Sequence, residues 1–162
     1  MKIQVLTRIV VLFLIASSSL FAQQKEITLE EIWGGAFRTE GLDVLRSLDN
    51  GTQYSVLNYD RTNKASTIDV YNYTDGEKVK TLLNTNDLPG IEYIISYEFS
   101  DDESKLLLST QLQQIYRRSS LGTFYVYDLN SKALTLVSEN KIQEPTFTKD
   151  GTKVAYGYEN NL

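Results

Sequence analysis

Phe147-Thr148-Lys149-Asp150-Gly151-Thr152-Lys153-Val154-Ala155 sets an apolar residue, a polar turn and an apolar strand in one short run. The same order stands at Leu48-Asp49-Asn50-Gly51-Thr52-Gln53-Tyr54-Ser55-Val56 and at Phe99-Ser100-Asp101-Asp102-Glu103-Ser104-Lys105-Leu106-Leu107. With Asn50, Asp102 and Asp150 in register, the element recurs roughly every fifty residues. A second element interleaves with it: Ile68-Asp69-Val70-Tyr71-Asn72-Tyr73 with Asp75-Gly76, then Phe124-Tyr125-Val126-Tyr127-Asp128-Leu129 with Asn130-Ser131. Asn-Gly and Asp-Gly accept the positive φ of tight turns at little steric cost, so hairpin turns are expected at Asn50-Gly51, Asp75-Gly76 and Asp150-Gly151. Tyr54 to Tyr59, Leu106 to Thr110, Phe124 to Tyr127 and Leu134 to Val137 are rich in β-branched and aromatic residues and read as strands.

Four short strands in about fifty residues is the stoichiometry of a β-propeller blade. Self-similarity at that period favours a repeat over the alternative, a small β-sandwich with turns at closer intervals. The expected fold is therefore all-β: a partial propeller of about two to three four-stranded antiparallel blades, preceded by a signal peptide and a short helix. Propellers close with about four to eight blades, so residues 23–162 read as a fragment with uncovered strand edges that invite association.

At the N-terminus, Lys2 and Arg8 precede the apolar run Ile9 to Ala16, and Ser17-Ser18-Ser19-Leu20-Phe21-Ala22 ends on a small residue. This is the order of a secretory signal peptide over residues 1–22, and it places the mature protein in the periplasm or cell envelope. The apolar core is shorter than the roughly 18 residues of a spanning helix; a retained anchor is the alternative. No Cys follows the leader for lipid attachment. Next, Ile27-Thr28-Leu29-Glu30-Glu31-Ile32-Trp33 carries a capping box, Thr28 with Glu31, flanked by Ile27 and Ile32 as a hydrophobic staple, and Gly34-Gly35 stops the helix. Glu30 and Glu31 are accounted for by capping and the helix dipole.

Sixteen Lys and Arg face 21 Asp and Glu, a net charge of −5. No basic face offers itself to phosphate, which argues against a nucleic-acid partner. With neither Cys nor His in the sequence, there is no thiol nucleophile, no imidazole base and no imidazole metal ligand. No catalytic residue, metal site or cofactor is assigned.

Gln114-Ile115-Tyr116-Arg117-Arg118-Ser119-Ser120, followed by Phe124-Tyr125-Val126-Tyr127-Asp128-Leu129, by Pro145 to Tyr156 and by Asn160-Asn161-Leu162, resembles the N-terminal β-propeller of bacterial dipeptidyl peptidase IV. The opening Ile27 to Trp33 and the stretch up to Asn58-Tyr59 fit the same family. The Phe-Ser/Thr-x-Asp-Gly-x-Lys element is common to many propellers. The Tyr-Arg-Arg-Ser-Ser stretch before Tyr-Val-Tyr-Asp-Leu is far more specific.

The resemblance implies a secreted serine peptidase of the prolyl oligopeptidase type that removes N-terminal X-Pro or X-Ala dipeptides. Its propeller gates and binds substrate, and a C-terminal α/β-hydrolase domain carries the Gly-x-Ser-x-Gly nucleophile with its Asp and His. The implied partners are that domain, the peptide substrate and a second copy in a homodimer. Without His, residues 23–162 are expected to be inactive alone. One residue role carries over: Arg117 matches the Arg that binds the carbonyl of the substrate's penultimate residue. Arg118 reads as a solvated charge, and Tyr116 packs either against the substrate beside Arg117 or, as a strand-end aromatic more often does, against the protein. The family's Glu-Glu pair for the substrate amine belongs to a motif that would lie beyond Leu162, and Glu30-Glu31 stands in a different context. A non-catalytic envelope propeller that binds a partner is the alternative.

Overall fold

A computed structural model describes residues 26–38, 44–117 and 119–159. The signal peptide expected over residues 1–22, Arg118 and the Asn160-Asn161-Leu162 end lie outside the described residues. Two compact units are present, Met1–Gly41 and Leu42–Leu162.

The first unit holds one short helix, α1 (Leu29–Trp33). The capping box forms: Glu31 N–H donates to Thr28 Oγ1 at 3.2 Å, and Thr28 N–H donates to Glu31 Oε2 at 3.3 Å. Two backbone donors that the first turn would leave orphaned are thereby satisfied. Gly35 follows at φ 78, a left-handed conformation that ends the helix. Ile27 and Ile32, expected as a staple, are both largely exposed.

The second unit is built of antiparallel strands. Blade 1 comprises β1 (Leu45–Ser47), β2 (Gln53–Asp60), β3 (Ala65–Asn72) and β4 (Lys78–Asn84), in sheet order β1-β2-β3-β4. Blade 2 repeats the plan with β5 (Ser96–Phe99), β6 (Lys105–Tyr116), β7 (Ser119–Asp128) and β8 (Leu134–Leu136). A third sheet pairs β9 (Gln143–Phe147) with β10 (Val154–Gly157). The all-β, partial-propeller architecture read from the repeat is the one present.

The first turn of each sheet shows why the repeat was legible. Asn50, Asp102 and Asp150 each turn a side-chain oxygen onto the backbone N–H two residues ahead, at 3.0 Å from Thr52, 3.2 Å from Ser104 and 3.1 Å from Thr152. The next position, Gly51, Glu103 or Gly151, takes positive φ each time. Glu103 adopts at some strain what glycine adopts freely, and its carboxylate accepts the Asp49 N–H of the blade 1 turn at 2.7 Å. Lys105 in turn donates Nζ to the Gly151 carbonyl at 2.9 Å, so side chains of blade 2 tie together the turns of all three sheets. In the second element Gly76 takes φ 70 as expected, and the matching turn takes its positive φ at Lys132, beyond Asn130-Ser131.

Two apolar layers separate the sheets. Ile68, Leu83, Ile94, Tyr97, Leu106, Leu108 and Tyr127 fill the first, between blades 1 and 2. Leu107, Phe124 and Ile142, joined by Phe147 and Val154, fill the second. Successive residues of a strand point to opposite faces, so Leu106-Leu107-Leu108 is unbroken because β6 is buried on both. Each such leucine contributes about 1.5–3 kcal/mol relative to exposure.

Blade 1 packs differently on its second face. Asp69 pairs across β2 and β4 with Val56 and Thr81. Its carboxylate accepts from Thr67 and Asn58, both at 2.9 Å, and from Thr81 at 2.6 Å, and it pairs with Lys78 at 2.8 Å. Burial raises the pKa of Asp69, and the donors from Lys78, Thr81, Asn58 and Thr67 outweigh it and hold the group below the usual carboxylate value. Nothing in the strand pattern singled this residue out.

Candidate functional site

The longest strands of the molecule form one hairpin. β2 ends after 8 residues, whereas its counterpart β6 runs for 12 and β7 for 10. The extra length leaves the body of blade 2, and Gln111 to Arg117 are all exposed. Tyr116 pairs with Ser119, so Arg117 and Arg118 alone connect the strands. Arg117, singled out by the resemblance, therefore sits at the tip of this arm.

Two register shifts interrupt the arm, between Thr110 and Gln113 and between Gln114 and Tyr116. Gln111 takes φ 47 at the first. Shifts of this kind bend and twist a strand pair and so re-aim what it carries. A cleft of about 260 Å³ lies at the foot of the arm, lined by Gly90, Ile91, Glu92, Tyr93, Thr110 and Gln111. Tyr116 is 75% exposed, so it does not pack on a core among the described residues as the plain-packing reading expected.

The base of the arm is anchored by a glycine that the sequence reading passed over. Gly122 and Ile142 exchange two backbone hydrogen bonds, both at 3.0 Å, joining β7 to the segment that enters the third sheet. A Cβ at position 122 would lie 2.4 Å from Leu112 Cδ2 and 2.9 Å from Phe124 Cε2. An isolated glycine inside a strand pattern signals close approach of this kind. Lys141, beside Ile142, reaches the arm and donates Nζ to Gln113 Oε1 at 3.3 Å.

The arrangement presents a permanently charged, planar donor on a two-stranded stem. A guanidinium so held can bind a carbonyl or carboxylate with several hydrogen bonds and can take no part in proton transfer. Glu30 and Glu31 belong to the helix unit, where Glu31 completes the capping box.

Over 85% of this chain and 20% of its own length, the crystal structure of Porphyromonas gingivalis dipeptidyl peptidase 4 superposes with a TM-score of 0.71 at 32% sequence identity. The family model described as dipeptidyl peptidase IV (DPP IV) N-terminal region matches residues 100–162, which include the whole arm. The chain is thus similar to the N-terminal propeller region of the dipeptidyl peptidase IV family. Human prolyl endopeptidase FAP is similar to this chain as well, 25% identical over 140 residues, which are 85% of the chain and 17% of that protein. The chain spans about a fifth of the length of these relatives.

Proposed function

We propose that this chain is the propeller part of an exported dipeptidyl peptidase that removes N-terminal X-Pro or X-Ala dipeptides, with Arg117 as the donor to the carbonyl of the substrate's penultimate residue. The observation that carries the reading is the place of Arg117 at the exposed tip of the β6–β7 arm, inside the segment matched by the family. The relatives, a dipeptidyl peptidase and a prolyl endopeptidase, support the substrate class. Without any His, this chain binds and orients substrate, and bond cleavage belongs to a C-terminal α/β-hydrolase domain with a Ser-Asp-His triad. Export by way of a signal peptide over residues 1–22 and assembly as a homodimer complete the proposal.

Arg117→Ala in the full-length protein that contains this chain is the decisive test, with a chromogenic X-Pro substrate. Removing a charge-assisted hydrogen bond worth about 1.5–3 kcal/mol should lower kcat/KM roughly tenfold to a hundredfold and leave Tm unchanged. Arg118→Ala should behave like the wild type. Equal losses in both variants, or a fall in Tm as large as that of a core deletion, would remove Arg117 from the substrate site. A full-length protein with no activity on any X-Pro or X-Ala substrate would instead favour the non-catalytic binding module. Mass spectrometry of envelope-purified protein checks export, for which cleavage after Ala22 is the expected result and an intact Met1 the contrary one.

A further inference from the structure

The arm closes beyond the Tyr116–Ser119 pair, and the sequence between those residues holds neither the Gly nor the Asn that tight hairpin turns favour. Just before it, the register shift between Gln114 and Tyr116 sets Ile115 outside the regular pairing. A tip with a register shift just before it and no favoured turn residue is weakly held by its own backbone. One side chain meets both deficits. Gln114 Nε2 donates to the Tyr116 carbonyl at 3.0 Å and to the Arg117 carbonyl at 3.2 Å. The amide group spends both of its N–H donors on the two peptide oxygens that bracket the Arg117 backbone. Its hold is local and independent of the rest of the blade.

We infer that Gln114 is a positioning residue: it fixes the backbone on which Arg117 stands and thereby sets where the guanidinium can reach. The functional half of this inference rests on the role proposed for Arg117. Gln114→Met keeps length and removes both donors, whereas Gln114→Lys restores a donor on a side chain of similar reach.

The experiment uses the full-length protein and two readouts. Hydrogen exchange of the peptide spanning residues 112–121 reports the tip itself. Gln114→Met should speed its exchange by about threefold to tenfold, the range for two exposed hydrogen bonds, and Gln114→Lys should return it toward wild type. Steady-state kinetics on an X-Pro substrate should show a higher KM for Gln114→Met at nearly unchanged kcat. That effect should vanish in an Arg117→Ala background, because a residue acting through Arg117 has nothing left to position. Unchanged tip exchange in Gln114→Met overturns the inference, as does a KM effect that persists undiminished in the Arg117→Ala background. If the tip loosens while Arg117→Ala itself leaves kinetics untouched, the hold of Gln114 on the tip stands and the substrate role of Arg117 falls.

Discussion

The β2–β3 and β6–β7 hairpins occupy the same place in successive blades and differ in two respects. At the tip, blade 1 closes with Arg61-Thr62-Asn63-Lys64. Asp60 Oδ1 there accepts N–H groups from Thr62 at 2.8 Å and Asn63 at 3.2 Å, Oδ2 accepts Asn63 Nδ2 at 2.7 Å, and Lys64 takes φ 49. Blade 2 replaces this compact, self-bonded turn with an arm that reaches further and is held by Gln114. Where the arm leaves blade 2, the register that aligns Tyr71 with Tyr127 sets Gly122 against Ser66, which lies next to the blade 1 turn. Each meets the segment leading into the next sheet: Ile94 N–H donates to Ser66 Oγ, and Ile142 N–H donates to the Gly122 carbonyl, both at 3.0 Å. The repeat keeps a hook for the incoming chain and changes the chemistry that makes it. Where blade 2 uses backbone alone, a side chain has no room.

That contrast is broken most severely at Gly122. Gly122→Val should destabilise by about 3 kcal/mol, because Leu112 and Phe124 must both move to admit the branched side chain. Ser66→Ala should cost less, about 1–2 kcal/mol, by leaving the buried Ile94 N–H without its acceptor. Urea midpoints, or local exchange rates at the two junctions, rank the pair. If Gly122→Val proves the milder change, the arm yields and the hook is not rigid. Substitution at the tips sharpens the same comparison on the functional side, since Arg61→Ala on the short hairpin should leave kcat/KM alone while Arg117→Ala lowers it.

The smallest effect concerns what the blades share. Asp102 is held down to about 2 by hydrogen bonds from Ser100 and Ser104, and hydrogen bonds led by that from Thr148 lower Asp150 below its usual value. A carboxyl depressed in the folded state adds stability above its unfolded value near 3.8, and that stability is lost as pH falls toward the folded value. Tm should therefore decline from about pH 4 toward pH 2. Asp102→Asn should flatten part of that decline, and a Tm unaffected by this acid range would show that the turns do not depend on ionised aspartate. Both turns are solvent-exposed, so the change is expected to be modest.

How much of this could be read beforehand follows the range of the forces involved. Turns at Asn50, Asp75 and Asp150 were legible because an Asx side chain bonds its own backbone two or three residues away, and glycine next to it takes the left-handed conformation. The turn after β7 repeats the Asp75-Gly76 turn in register, with the Lys132 N–H donating to the Asp128 carbonyl at 2.9 Å as the Gly76 N–H donates to that of Asn72 at 3.0 Å, but a lysine at the positive-φ position gave no glycine signal to read. Arg117 was found through resemblance, and composition or spacing alone would have left it a surface charge. Gly122, Ser66 and Asp69 went unnoticed because their partners, Ile142, Ile94 and Thr81 among them, come from other strands or from the segments between sheets.

Strand order within a blade, the sites of the tight turns and the capping of α1 were determined by the sequence alone, since each depends on residues only a few positions apart. The length and bends of the β6–β7 arm, the burial of β6 on both faces and the clasp of Glu103 and Lys105 onto neighbouring turns were decided only by tertiary structure. Those features depend on which sheet faces come together. A leucine run such as Leu106-Leu107-Leu108 states that both faces are covered without saying by what, and a glutamate at positive φ is strained until a second blade supplies the N–H that it accepts.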